Sequence, residues 1–185
     1  VSIGSAEEFH HPDPARLAKA IEATKAYVKL GRDVGASGVK VRPNALPKEV
    51  PQEKTIEQIG KSLNVVGAFA ADCAQQIRLE VHGGCARLPI MKQIMDVADH
   101  PNVFVCWNSN ATDLQDGGLE AGFNLVKKRF GATAHVRPLD SKDYPWAELI
   151  GLFVKMDYHG WLLLEAGGTA KDPVNDLIRQ RKLFE

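Results

Sequence analysis

Ile77-Arg78-Leu79-Glu80-Val81-His82 is the stretch on which the reading of the fold turns. Its residues alternate strictly: Ile77, Leu79 and Val81 are apolar, whereas Arg78, Glu80 and His82 are polar, the period-two pattern of a β-strand. A parallel strand covered by helices on both faces reads instead as a nearly continuous apolar run. One face of this strand therefore looks onto something polar.

The alternation recurs along the chain. Val39 to Asn44 presents Lys40, Arg42 and Asn44 on one face, with Val39 and Val41 on the other. Phe104, Cys106, Asn108 and Asn110 share a face opposite Val105 and Trp107, which assigns Trp107 to the helix layer. His135 and Arg137 lie opposite Ala134 and Val136, and Trp161, Leu163 and Glu165 share a face of the last strand. Amphipathic segments with three-to-four spacing separate these strands, as in Ile56, Ile59, Leu63 and Val66.

The expected order starts with a strand over Val1 to Ala6 and a helix opened by Pro12-Asp13-Pro14 and stopped by Gly31 and Gly35. Helices follow over Pro51 to Ala71, Leu88 to Val97, Leu119 to Phe130, Tyr144 to Met156 and Val174 to Phe184. Strands fall at Val103 to Asn108, Thr133 to Arg137 and Trp161 to Glu165. With apolar faces on the helices and polar faces turned inward, these are units of an α/β (β/α)8 TIM barrel, whose active site sits at the C-terminal strand ends. A closed barrel has eight units and about 250 residues, and six C-terminal βα units are visible. Residues 1–185 therefore read as a single barrel domain, incomplete at the N-terminus. An open doubly wound sheet would gather its ligand groups at one switch point, whereas here every strand carries them.

Composition narrows the function. The chain has 185 residues, 44% of them apolar and 25% charged, which is globular rather than disordered. Lys+Arg and Asp+Glu both number 23, and no basic run interleaved with aromatics occurs, so neither nucleic acid nor an anionic membrane is the expected partner. No apolar run approaches the roughly 20 residues of a membrane span. Cys73, Cys85 and Cys106 lack C-x-x-C spacing and are expected as reduced thiols, which points to the cytoplasm unless a leader precedes Val1.

Four segments, Leu79-Glu80-Val81-His82-Gly83, Cys106-Trp107-Asn108-Ser109-Asn110, His135-Val136-Arg137 and Leu164-Glu165, resemble the xylose isomerase-like barrel superfamily in its sugar phosphate isomerase/epimerase branch. The resemblance covers nearly the whole chain. It implies one divalent metal ion, Mn2+, Mg2+ or Co2+, held by Glu80, Asn108, His135 and Glu165, on what would be strands five to eight. The visible chain would then begin at strand three. The family more often has Asp at the second ligand position, so Asn108 removes one negative charge.

The resemblance also implies a small carbohydrate substrate, and a homo-oligomer is compatible with it. Glu80 and Glu165 would be the catalytic pair, facing each other across the lumen: one takes a proton next to a carbonyl, and the other returns it to the enediolate. Return to the opposite face gives epimerisation; return to the neighbouring carbon gives isomerisation. A lyase or dehydratase could use the same site, and a sugar-binding barrel without catalysis is a further alternative. His82 and Arg137, two residues beyond Glu80 and His135, are candidates for substrate hydroxyls or a phosphate. Asn44 and Asn110 at strand ends, and His10 and His11 on the loop with Glu7 and Glu8, complete the substrate-binding candidates. Asn44 and Asn110 could equally cap turns. An ion-pair network among Arg42, Arg78, Glu80, Arg137 and Glu165 that merely neutralises the lumen is the non-functional alternative.

Overall fold

The computed structural model describes residues 1–168 and 171–185. Six parallel strands alternate with six helices: β1 (Ile3–Glu8), α1 (Pro14–Asp33), β2 (Gly38–Arg42), α2 (Gln52–Asp72), β3 (Gln76–Glu80), α3 (Leu88–Val97), β4 (Val103–Cys106), α4 (Leu119–Val126), β5 (Thr133–Val136), α5 (Trp146–Lys155), β6 (Trp161–Leu164) and α6 (Pro173–Phe184). β1 to β4 pair in sequence order, as do β5 and β6. The two sets are joined by bridges at Val105↔Phe130 and Asn108↔His135, with His135 N donating to Trp107 O at 2.7 Å. The result is the partial TIM barrel expected of six βα units, with every crossover made by a helix.

The alternation read from the sequence sorts the side chains into two layers. Val39, Val41, Ile77, Leu79, Val81, Val103 and Val105 are fully buried, as are Ile59, Leu63, Val66, Met91 and Ile94 from the helices. Trp107 lies in the helix layer, as its position in the alternation requires, with its ring centroid 5.5 Å from Phe123, 5.9 Å from Phe130 and 6.4 Å from Phe153. On the opposite face Arg78 has no exposed surface, yet among the described residues it meets no carboxylate. Its guanidinium donates to Gln76, Ser2, Ser37 and Thr133, neutral groups from four segments of chain. Its partners tie β3 to the segments that precede β1 and β2 and to the start of β5.

Several boundaries differ from those expected, each for a local reason. β1 continues to Glu8, so Glu7 and Glu8 belong to the strand and not to the following loop; Glu8 pairs with Arg42 in the β2 register. α1 starts where expected, with Asp13 accepting a hydrogen bond from Ala15 N at 2.9 Å and Pro14 in the first turn. It runs through Gly31, where a Cβ would lie 2.8 Å from Gln75 Oε1, so this glycine serves close packing rather than termination. α4 ends at Val126, and Lys127–Arg129 form a separate 3-10 turn. α5 starts at Trp146, because Pro145 disfavours helical backbone at Tyr144. β4 stops at Cys106, and Asn108 rejoins the sheet through its single bridge to His135.

Among the described residues no helix is long and apolar enough to cross a membrane. The three cysteines are unpaired.

Candidate active site

Strand alternation carries four side chains to one point above the lumen. Glu80 closes β3 and is 1% exposed at its side chain; Asn108 follows β4 and is buried; His135 stands within β5; and Glu165 follows β6 with its side chain 52% exposed. Asn108 Nδ2 donates to Glu80 Oε1 at 3.1 Å and to Glu165 Oε2 at 3.0 Å, so a single amide bridges the two carboxylates. His135 Nδ1 lies 3.0 Å from Glu80 Oε1 and 3.8 Å from Glu165 Oε2. The glutamates therefore converge on one focus, closer together than an arrangement across an open lumen would put them.

Electrostatics tie this focus together. Burial alone would raise the Glu80 carboxyl, but hydrogen bonds from His135 and Lys40, with their charges, outweigh it and hold the group at about 2. Burial likewise opposes the imidazolium of His135, yet the Cys106 sulfur and the Glu80 carboxylate beside it carry its pKa up to about 10. Cys106 is fully buried and level with Glu80 in the β3–β4 register, rather than deeper in the barrel.

Lys40 is the residue that sequence reasoning left without a role. Its ammonium sits 2.7 Å from Glu80 Oε2, and its side chain is 13% exposed. The signal was available, since Lys40 alternates with Val39 and Val41 and so had to enter the lumen. What the alternation does not give is reach: Lys40 is level with Arg78 in the β2–β3 register, and its long stem carries the ammonium two residues further along β3 to Glu80.

The residues expected to contact substrate separate into groups. His82 Nδ1 and Asn44 Oδ1 bond to each other at 2.8 Å. Gly83, with φ +63°, fixes this pair in place: a Cβ there would lie 2.3 Å from Asn44 O, and Gly84 N donates to that same oxygen. The Gly83-Gly84 pair thus packs one strand-end loop on another. Asn110 spends its amide on Val81 O and Asn108 O, and its backbone N–H on Asp113 Oδ2, so it caps the 3-10 turn that follows. Arg137 extends along the Tyr144 and Trp146 rings, 5.5 and 6.0 Å from their centroids, with Nη1 3.4 Å from Asp143. Its Nε and Nη2 are buried without a hydrogen-bond partner.

His10 and His11 stack at 4.1 Å beside Glu8, whose Oε2 is 3.7 Å from His10 Nδ1 and 3.8 Å from His11 Nε2. Arg42 bonds the other Glu8 oxygen at 3.0 Å, and Arg16 reaches His11 at 3.5 Å. A lumen-wide ion-pair network is therefore not what forms: Arg42 goes to Glu8, Arg78 to neutral groups, Arg137 to Asp143 and Glu80 to Lys40. An open cleft of about 600 Å³ lies beyond the end of β6, lined by Asp140, Ala166, Gly167, Gly168, Asp172 and Arg179 among others, and none of Glu80, Asn108, His135 and Glu165 lines it.

Behind the site, Asp113 is fully buried, accepts the Tyr144 hydroxyl at 2.6 Å and leaves Oδ1 unpartnered. Burial raises its carboxyl to about 7, against bonds from Asn110 and Tyr144 that lower it. Because the folded value lies above the ordinary one, the folded protein holds this proton between about pH 4 and 7 while the unfolded chain has lost it. Stability from this group therefore falls as pH rises through that window and levels off above it. Asp113→Asn is expected to raise Tm by several degrees at pH 8 and to leave it nearly unchanged at pH 4, as thermal denaturation at the two pH values would register.

A family model for the xylose isomerase-like TIM barrel matches residues 1–182. The chain belongs to that family. Among solved structures, this xylose isomerase-like barrel is similar to 3-keto-D-glucoside 4-epimerase from Escherichia coli, with TM-score 0.81 and 14% identity, covering 98% of this chain and 78% of that one. A sugar phosphate isomerase/epimerase from Parabacteroides distasonis gives TM-score 0.74 and 12% identity, with 99% and 68% covered. A xylose isomerase-like TIM barrel protein from Mycobacterium smegmatis, in complex with magnesium, gives 0.73 and 12%, with 98% and 71% covered. At these identities the likeness is one of fold, and this barrel spans 68 to 78% of the length of those three chains. No functionally curated protein matches the chain in sequence.

Proposed function

We propose that the protein is a divalent-metal-dependent isomerase or epimerase of a sugar or sugar derivative, acting by proton abstraction next to a carbonyl. The observation that carries this reading is the convergence of Glu80, His135 and Glu165, with one ligand atom from each within 4.8 Å of the others, at the catalytic end of a xylose isomerase-like barrel. Sugar epimerases among the structural relatives support the substrate class. A relative in complex with magnesium supports the metal.

The donor set fits a hard cation. Two carboxylates, an imidazole and an amide suit Mn2+, Mg2+ or Co2+ better than a thiolate-loving ion. Asn108 Oδ1 is buried with no partner, while its Nδ2 lies between the carboxylates. A half-turn of that amide places the orphaned oxygen among the other three donors, and Glu80, Asn108, His135 and Glu165 then hold the ion together. A divalent cation at this place supplies positive charge where an enediolate develops negative charge.

The protein's own groups divide the remaining work. Glu165 is the more available base, since its side chain is half exposed and, among the described residues, Asn108 is its one side-chain hydrogen-bond donor. It takes the proton from the carbon next to the carbonyl. A proton delivered to the opposite face by a second, protonated acid inverts that carbon, whereas return of the proton by Glu165 to the neighbouring carbon exchanges aldose and ketose. His82 and Arg137, two residues beyond Glu80 and His135 in the chain, are the groups we assign to substrate oxygens.

Equilibrium titration of the purified chain with Mn2+ should saturate at about one ion per chain, and Glu80→Gln should abolish that binding. No bound ion in the folded wild type would remove the metal from this reading.

A further inference from the structure

We infer that Lys40 is a built-in counter-cation that competes with the divalent ion for Glu80 and, with Asn108, makes this a weak, readily exchanged metal site. The inference rests on the reading of Glu80, Asn108, His135 and Glu165 as metal ligands.

Charge is the first argument. Glu80 and Glu165 bring two negative charges, the Asn108 amide brings none, and the Lys40 ammonium returns one positive charge at 2.7 Å from Glu80 Oε2. A pair this deep, with side chains 13% and 1% exposed, is poorly screened by water. An incoming ion therefore meets a cluster whose strongest carboxylate is already neutralised.

Occupancy is the second. Both Glu80 oxygens are engaged, Oε2 by Lys40 and Oε1 by Asn108 and His135, so an ion can bind Glu80 only by displacing or sharing these donors. Lys40 has no alternative to move to: among the described residues Glu80 is its one ionic partner, and the nearby acid Glu8 is bonded to Arg42. Lys40 rises from β2, which is paired with β1 and β3 on its two sides, and its side chain is only 13% exposed, so the ammonium is largely shielded from solvent where it stands. Releasing Glu80 would strand a poorly hydrated charge, which raises the cost of loading the metal.

The test is Mn2+ titration of the full chain, following free Mn2+ by its EPR signal, for the wild type, Lys40→Gln, Lys40→Arg and Asn108→Asp. Lys40→Gln and Asn108→Asp should each bind about tenfold or more tightly than the wild type, the size of effect seen for groups adjoining metal ligands. Lys40→Arg keeps the charge and should show no such gain. Circular dichroism establishes that each variant is folded. Lys40→Gln binding as the wild type does, or more weakly, overturns this inference and leaves the metal reading intact. A wild type that binds nothing beside a Lys40→Gln that binds Mn2+ supports the inference and contradicts the metal reading for the native chain. No binding by any of the four proteins overturns both.

Discussion

Glutamine at position 165 is expected to slow proton exchange at the carbon next to a bound sugar's carbonyl by about a thousandfold. Removing a positioned general base typically costs between a hundredfold and ten-thousandfold, and Glu165 is in addition one of four proposed metal ligands. The substitution is nearly isosteric, and the half-exposed side chain holds no part of the core, so the loss should fall on turnover with Tm almost unchanged. Glutamine can still accept the Asn108 hydrogen bond. Initial rates and melting curves measured on the same preparation would separate loss of the base from loss of the fold.

The largest effect on stability is expected at Trp107. Its indole is fully buried and packs against Phe123, Phe130 and Phe153, so one side chain links β4 to α4, to the turn before β5 and to α5. Trp107→Ala should cost about 4 kcal/mol, because the site lies between rigid elements that cannot close the cavity, and should lower Tm by roughly 10 °C. Trp107→Phe should cost much less. It keeps an aromatic ring against its neighbours and removes an indole N–H that is buried without a partner. Denaturant unfolding of the two variants would measure the difference.

The fold was legible because a barrel writes both of its layers into each strand. Val39-Lys40-Val41-Arg42 and Ile77 to His82 declare which side meets the helices and which meets the lumen, and the residues shielded by the helices are the apolar ones. Strand ends were harder to read. Asn108 continues the alternation past Cys106, but the backbone there makes only a single bridge, and pattern alone cannot distinguish pairing from mere extension.

Four strand-end residues could be listed from the sequence by resemblance, but how they partner depends on side-chain reach across strands. Lys40 reaches up to Glu80, Asn110 turns back to its own loop, and His82 and Asn44 meet across two loops. Glu8 was expected on a loop, yet it ends a strand and pairs with Arg42. Tyr144 and Asp113, 31 residues apart in sequence, carry no local pattern that announces their contact.

Deuterium exchange tests the central claim most directly. The intact protein, loaded with Mn2+ and incubated in D2O with a panel of ketoses and 3-keto sugars, is expected to place deuterium on the carbon next to the carbonyl of at least one of them. Chelation should abolish that incorporation, and Glu165→Gln should slow it by about a thousandfold. A folded, metal-loaded protein that exchanges no proton in any of these sugars, while binding one of them, would contradict the enolising site and leave a carbohydrate-binding barrel in its place.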